Sequence, residues 1–171
     1  AGKRFYGISI INELSHAAKT YPKPNKSSIC IAQSLVDYWK EFGFSDALQM
    51  DNELSFRGSN RHPRSLGIVL RLALSFHVVP VFIPIKEPWR NGIVERYNQT
   101  YERHVLKSVY CQNMEELCVA SDEFASFHYA NHRYSSQSNR TPAQMELING
   151  KRTTQDLEYV LPDRIPLEEG V

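Results

Sequence analysis

The sequence predicts an α/β domain, a mixed β-sheet flanked by helices on both faces, and three observations carry that reading. Apolar residues alternate between strand and helix periods, in the order β-β-α-β-α-β-α-α with a short helix to close. The 171 residues, 42% hydrophobic and 23% charged, suffice for one compact core and are too few for two comfortable ones. No internal repeat or low-complexity tract interrupts the pattern.

Arg4–Asn12 (RFYGISIIN) is rich in aromatic and β-branched residues and reads as a strand, with Ser15–Tyr21 as a second strand after a tight turn. Pro22–Lys26 is a loop. Ser27 or Ser28 then caps a helix to about Phe42, with Ile31, Leu35, Tyr38, Trp39 and Phe42 on one stripe and Gly43 stopping it. Ala47–Asp51 is a short strand ending in an acid. A polar, arginine-rich loop, Arg57–Ser65, precedes a helix over Leu66–Phe76 and a strand over Pro80–Ile83. The loop Pro84–Asn91 carries Pro88 and Trp89. Helices follow over about Ile93–Val109 and Met114–Asn131, and Thr141 caps a last one, Pro142–Asn149, because proline suits the first helical position. Residues 1–150 are expected to form the core, and 151–171 a linker or the start of a C-terminal domain.

Lys plus Arg number 20 against 19 for Asp plus Glu, a net charge of +1, so global charge does not announce a nucleic-acid binder. Any such argument rests on where the charges fall. Cys30, Cys111 and Cys118 form no CxxC pair and read as reduced thiols of a cytoplasmic protein. The apolar stretch around Val78–Ile85 is too short and too proline-broken to span a bilayer, and no signal-peptide pattern opens the chain.

Two acids stand at positions suited to chemistry. Asp51 ends a strand, so its carboxylate projects from the C-terminal edge of the sheet, where ligand sites form in open α/β folds. Glu95 lies in the first turns of the helix from Ile93, with Asn98, Gln99 and Glu102 on its face and Val94, Tyr97, Tyr101 and Val105 on the apolar side. Phosphodiester transfer without a covalent intermediate uses two divalent ions about 4 Å apart, held by clustered carboxylates. Periodicity alone favours the plainer reading: a turn residue at 51 and a solvated helix face at 95.

The surrounding motifs shift that balance. Leu48–Phe56 (LQMDNELSF), Glu87–Thr100 (EPWRNGIVERYNQT), Tyr129–Met145 (YANHRYSSQSNRTPAQM) and the hairpin Arg4–Tyr21 together resemble, in order, the catalytic core of a bacterial insertion-sequence transposase, within the retroviral-integrase-like, RNase H-like superfamily. The resemblance implies an RNase H-like sheet and metal-dependent DNA cleavage and strand transfer. It makes Asp51 and Glu95 the second and third members of an Asp-Asp-Glu triad, catalytic and metal-binding, with two Mg²⁺ or Mn²⁺ ions. It also implies transposon-end and target DNA as partners, and self-association. Asp51 and Glu95 are 44 positions apart (95 − 51), more than in many relatives, and Arg57–Ser65 accounts for the excess as a surface insertion.

There are departures. The first catalytic Asp belongs on a strand before Arg4–Asn12, and no aspartate occurs before Asp37, which is mid-helix. Glu13 sits at the wrong end of its strand. Asn12 stands where many relatives carry a non-catalytic Asp, and Glu53 replaces the usual glycine. The first strand is therefore expected to be missing. Its sheet should be left in two portions or borrow a strand, and the fragment should be inactive.

DNA contacts are expected from Arg57, Arg61, Arg64, Arg90, Arg96, Gln99 and Arg103. No Asp or Glu lies between Leu54 and Lys86. The Arg57–Arg64 loop reads equally as a phosphate clamp or an ordinary solvated loop. Trp89 reads first as packing, and His104, His128 and His132 as structural or surface histidines rather than metal ligands. Two other readings stay open: a non-catalytic DNA-binding or assembly module, and a general RNase H-like nuclease, which the Asn-Gly-x-x-Glu-Arg and Thr-Pro-Ala segments oppose.

Overall fold

The computed structural model describes residues 4–51, 66–84, 87, 91–149 and 159–162. In chain order its elements are β1 (Tyr6–Ile11), β2 (Ala18–Lys23), α1 (Ser28–Phe42), β3 (Ala47–Met50), α2 (Ile68–Ser75), β4 (Val79–Phe82), α3 (Gly92–Tyr101), a π-helical turn (Glu102–Leu106), α4 (Met114–Asn131), a 3₁₀ turn (Ser135–Gln137) and α5 (Pro142–Asn149). The chain divides into two compact units, Ala1–Asn25 with Asn91–Arg152, and Lys26–Arg90 with Thr153–Val171.

In the first unit β1 and β2 pair antiparallel, with Ile8 opposite Tyr21 and Ile11 opposite Ala18. Their connection is wider than the tight turn expected. Asn12 Oδ1 accepts from the backbone N–H groups of Leu14 and Ser15, and His16 takes a left-handed φ of 59°. This side-chain-closed turn delays β2 to Ala18. Gly7 lies beside Thr20, whose Cγ2 would be only 3.0 Å from a Cβ at that position. The helices α3 and α4 pack on the hairpin, closing a core of Ala18, Tyr97, Tyr101, Val105, Ala120 and Phe124. Each such large side chain contributes roughly 2 kcal/mol on burial. At α5, Thr141 Oγ1 accepts from the Gln144 N–H while Gln144 Oε1 accepts from the Thr141 N–H, the reciprocal cap that makes Thr141 a helix start.

In the second unit Ser27 caps α1 by accepting from the Cys30 N–H, and Gly43 ends it at φ 91°, its N–H donating to Trp39 O. The buried stripe of α1, including Ile31, Leu35, Val36 and Trp39, packs with α2, whose Val69, Leu72 and Ala73 are also buried. Phe44 and Phe76 close on Trp39, at ring separations of 5.1 and 5.7 Å, and Tyr159 meets Phe76 edge-on at 4.9 Å. After α2 the chain returns as β4, which pairs parallel to β3 from Ala47 opposite Val79 to Met50 opposite Phe82.

Among the described residues the strands thus form two two-stranded sheets, where periodicity alone suggested one continuous sheet. The Ile93–Val109 helix also differs, since α-helical winding stops at Tyr101 and five residues of π-helix follow. None of Cys30, Cys111 and Cys118 forms a disulfide. Among the described residues no helix is long and apolar enough to cross a membrane.

Candidate active site

Asp51 follows β3 directly. Parallel pairing brings the C-terminal ends of β3 and β4 side by side, and the Ile83 N–H donates to Met50 O at 3.0 Å just beyond the paired residues. Met50 is 3% exposed and anchors the strand end, while Asp51 is half-buried. The carboxylate therefore stands at the C-terminal edge of the parallel pair, in the second unit.

Glu95 sits in the first turn of α3, in the first unit. Glu95, Asn98, Gln99 and Glu102 are all exposed, while Tyr97, Tyr101 and Val105 are buried. Two hydroxyls hold that orientation. Thr20 Oγ1 donates to Tyr97 Oη at 3.4 Å and also meets Ser9 Oγ at 2.9 Å. Tyr101 Oη meets Ser121 Oγ at 2.7 Å. Burial pushes both phenols well above their ordinary pKa, so they remain neutral at any physiological pH. The helix is thereby tied to β2 and to α4, and its polar stripe faces solvent. Among the described residues the Glu95 carboxylate has no hydrogen-bond or ion-pair partner.

The two acids belong to different compact units. Among the described residues no group of three His, Cys, Asp or Glu side chains is arranged to hold a metal ion. The donor chemistry of Asp51 and Glu95 nevertheless fits Mg²⁺ or Mn²⁺, which take carboxylate oxygens and keep several waters. Asp37 is no substitute: its Oδ1 accepts from Gln33 Nε2 one turn earlier on α1. Glu13 is exposed in the hairpin turn.

Of the expected DNA contacts, Arg96, Gln99 and Arg103 are exposed on α3 and the π-helical turn. Arg57, Arg61, Arg64 and Arg90 lie outside the described residues, as do Glu53, Lys86 and Trp89. The π-helix brings residues five apart together, so Lys107 pairs with Glu102 at 2.9 Å and the Lys107 N–H donates to Glu102 O. Lys107 is thus partly neutralised.

His128 is fully buried on α4. Its Nε2 lies 2.7 Å from Tyr134 Oη, its ring stacks on His132 at 5.0 Å, and His16 meets Tyr134 edge-on at 4.3 Å. Burial, then His132 and His16, hold the His128 pKa down to about 4. This is a packed aromatic–histidine cluster. Periodicity could place His128 and His132 on one helix face, but not bring in His16 from the hairpin turn.

No protein-family model matches the sequence, and no curated protein sequence matches it. Solved structures do. The chain is similar to the HTLV-2 integrase catalytic core domain in complex with magnesium, at TM-score 0.62 and 15% identity over 82% of this chain and 84% of that one. It is similar to the catalytic core domain of BIV integrase, at TM-score 0.61 and 13% identity over 85% and 92%. A chain of the simian T-cell lymphotropic virus intasome in complex with PP2A regulatory subunit B56 gamma matches 98% of this chain, at TM-score 0.64 and 15% identity, and this chain spans 57% of it. Small sheets packed with helices in this order are the mixed α/β fold of retroviral integrase catalytic cores.

Proposed function

We propose that the chain is the catalytic core of a DNA transposase, a polynucleotidyl transferase of the Asp-Asp-Glu class that cleaves and joins phosphodiesters during DNA integration. The observation that carries this reading is Glu95. In a chain with the integrase-core fold, it is a carboxylate without a partner among the described residues, in the first turn of a helix whose opposite face is locked by Tyr97 and Tyr101. Asp51, at the end of a parallel strand, supports it as the second acid. The motifs around both favour a bacterial insertion-sequence transposase over a retroviral enzyme.

Asp51 and Glu95 would hold divalent ions, with a further carboxylate completing the set. Such ions, when bound, stabilise charge on the attacking and leaving oxygens of the phosphodiester. The chain's own part is placement and grip. Glu95 is presented by a helix that cannot rotate without breaking the Tyr97 and Tyr101 contacts. Arg96 and Arg103 offer guanidinium groups to phosphate, and Gln99 an amide to a base or sugar edge. No side chain of this protein acts as nucleophile; water attacks first and a DNA 3′-hydroxyl second. Self-association on DNA ends follows from the same reading, as does a place at the bacterial nucleoid.

The test is Mg²⁺- or Mn²⁺-dependent nicking of duplex DNA by the protein. Asp51→Asn or Glu95→Gln should each lower that nicking by about 10³-fold or more, the scale of losing one contributor to transition-state charge stabilisation. Nicking that survives either change removes that acid from the mechanism. Duplex binding without any nicking favours a non-catalytic module instead.

A further inference from the structure

The first unit carries cations that the active-site reading leaves unused. From Phe124 to Met145 there is no Asp or Glu, while Arg133 and Arg140 both fall in that span. The two flank a closed turn. Tyr134 and Arg140 form an isolated antiparallel bridge, with the Tyr134 N–H donating to Arg140 O at 3.2 Å. Ser138 and Asn139 take left-handed φ values of 55° and 58° to close it. The turn is fixed to the β1–β2 connection, because Gln137 Nε2 donates to Leu14 O at 2.8 Å and the Tyr134 ring packs on His16.

Inside the turn the backbone satisfies itself. The N–H groups of Ser138, Asn139 and Arg140 donate to the carbonyls of Ser135, Tyr134 and Gln137. Arg133 Nη1 donates to Asn139 O at 2.9 Å, which lays its guanidinium across the turn toward residue 140. Burial raises the Tyr134 pKa and lowers that of His16; Arg96, from the helix that presents Glu95, lies close enough for its charge to oppose the first shift and add to the second. The three guanidiniums therefore belong to one neighbourhood of one unit, all on exposed residues.

Among the described residues none of the three is ion-paired. The described acids of this unit that do pair choose lysines, Asp122 with Lys19 and Glu102 with Lys107. The nearest acid in sequence to the turn's anchor on the hairpin is the exposed Glu13. Exposed arginines left without carboxylates, on a turn held rigid by its own backbone, form a fixed array of forked donors. Guanidinium forks match phosphate oxygens in geometry as well as charge.

We infer that Arg133 and Arg140, with Arg96, form a phosphate-gripping surface that holds the sugar–phosphate backbone of duplex DNA beside Glu95. This rests on the reading of the chain as a DNA-handling core, and it adds residues that reading does not contain. The contacts position the duplex and carry no sequence information, since guanidinium groups on phosphate oxygens read no base.

Fluorescence anisotropy with a labelled duplex of arbitrary sequence, titrated with the 171-residue chain over a range of salt, tests it. The variants are Arg140→Gln, which leaves the turn's backbone bonds in place, and Arg133→Gln/Arg140→Gln. Lys40→Gln, at an exposed position of α1 in the other unit, controls for charge, and thermal melts by circular dichroism check the fold. The double variant should bind about tenfold or more weakly, with the slope of log K against log salt reduced by about 2, one for each phosphate no longer neutralised. Arg140→Gln alone should show about half of that slope change, so the result stands even if Arg133→Gln loosens the turn. If the unaltered chain binds duplex and both variants match Lys40→Gln, the surface is wrong and the transposase reading survives. If the unaltered chain binds no duplex at any salt, both fall. Competition by polyglutamate as effective as by DNA overturns the surface too, assigning it to acidic polypeptides.

Discussion

His128 has an ordinary solution pKa near 6.5 and, buried against Tyr134 and His132, one of about 4. In the unfolded chain it takes up a proton as pH falls through 6.5; in the folded protein it stays neutral until about 4. Folding stability is therefore undiminished above pH 6.5 and falls progressively between 6.5 and 4, by about 3 kcal/mol from this residue. His16 and His132 are shifted downward as well and steepen the same window. Urea unfolding at pH 7 and pH 4.5 should register the difference, and His128→Phe should flatten it; an unchanged slope in that variant would mean that His128 is not the group responsible. The spacing of His128 and His132 made them neighbours on one helix face, while their meaning was illegible. It is set by Tyr134 and His16, which arrive from a turn and a hairpin that no local period reports. Asp51 and Glu95 were easier to place, since a strand end and a first helical turn are local facts. Whether they share an ion is not a local fact.

At the scale of the element, α3 is held by two tyrosine hydroxyls as well as by area. Tyr101→Phe removes the contact with Ser121 Oγ, which still donates to Leu117 O at 2.6 Å. The expected loss is about 1 kcal/mol of stability, because no buried polar group is stranded. Tyr97→Ala should cost about 3–5 kcal/mol, the range for emptying a buried aromatic site. It would also free the helix that carries Glu95. Chemical denaturation of both variants checks the ranking, and a Tyr101→Phe loss above that of Tyr97→Ala would contradict it. The apolar side of this helix was readable four residues at a time from Val94, Tyr97, Tyr101 and Val105. The change of winding at Glu102 was not, since neither proline nor glycine occurs in Glu102–Leu106 to announce it. The β1–β2 connection was misjudged for a related reason: Asn12 closes the turn with its side chain, and strand propensity is blind to that.

For the whole molecule, the element order was legible, while the pairing of strands into sheets was not. Composition pointed to enough apolar side chains for a core, and buried residues gather around Trp39 in one unit and around Tyr97 and Phe124 in the other. Amide hydrogen exchange should accordingly show two islands of slow exchange, one in α1 near Val36 and Trp39, the other in α4 near Ala125 and His128. Protection confined to a single unit would refute two independent cores. Strand and helix periods register which face is buried, not which partner buries it, and this is why the order of elements was readable while their grouping was not.

The π-helical turn has a corollary for chain length. Five residues there span what ordinary winding would cover with about one fewer, so the segment stores a spare residue without a loop to hold it. Dropping Leu106, which is exposed, lets regular winding resume. The Glu95 face and the Tyr97 and Tyr101 anchors upstream keep their phase, and the run into Cys111 and α4 leaves in nearly the same direction. Single-residue gaps and insertions should thus collect at this spot when kindred sequences are aligned, because here the protein can change length and leave its acid aimed where it was.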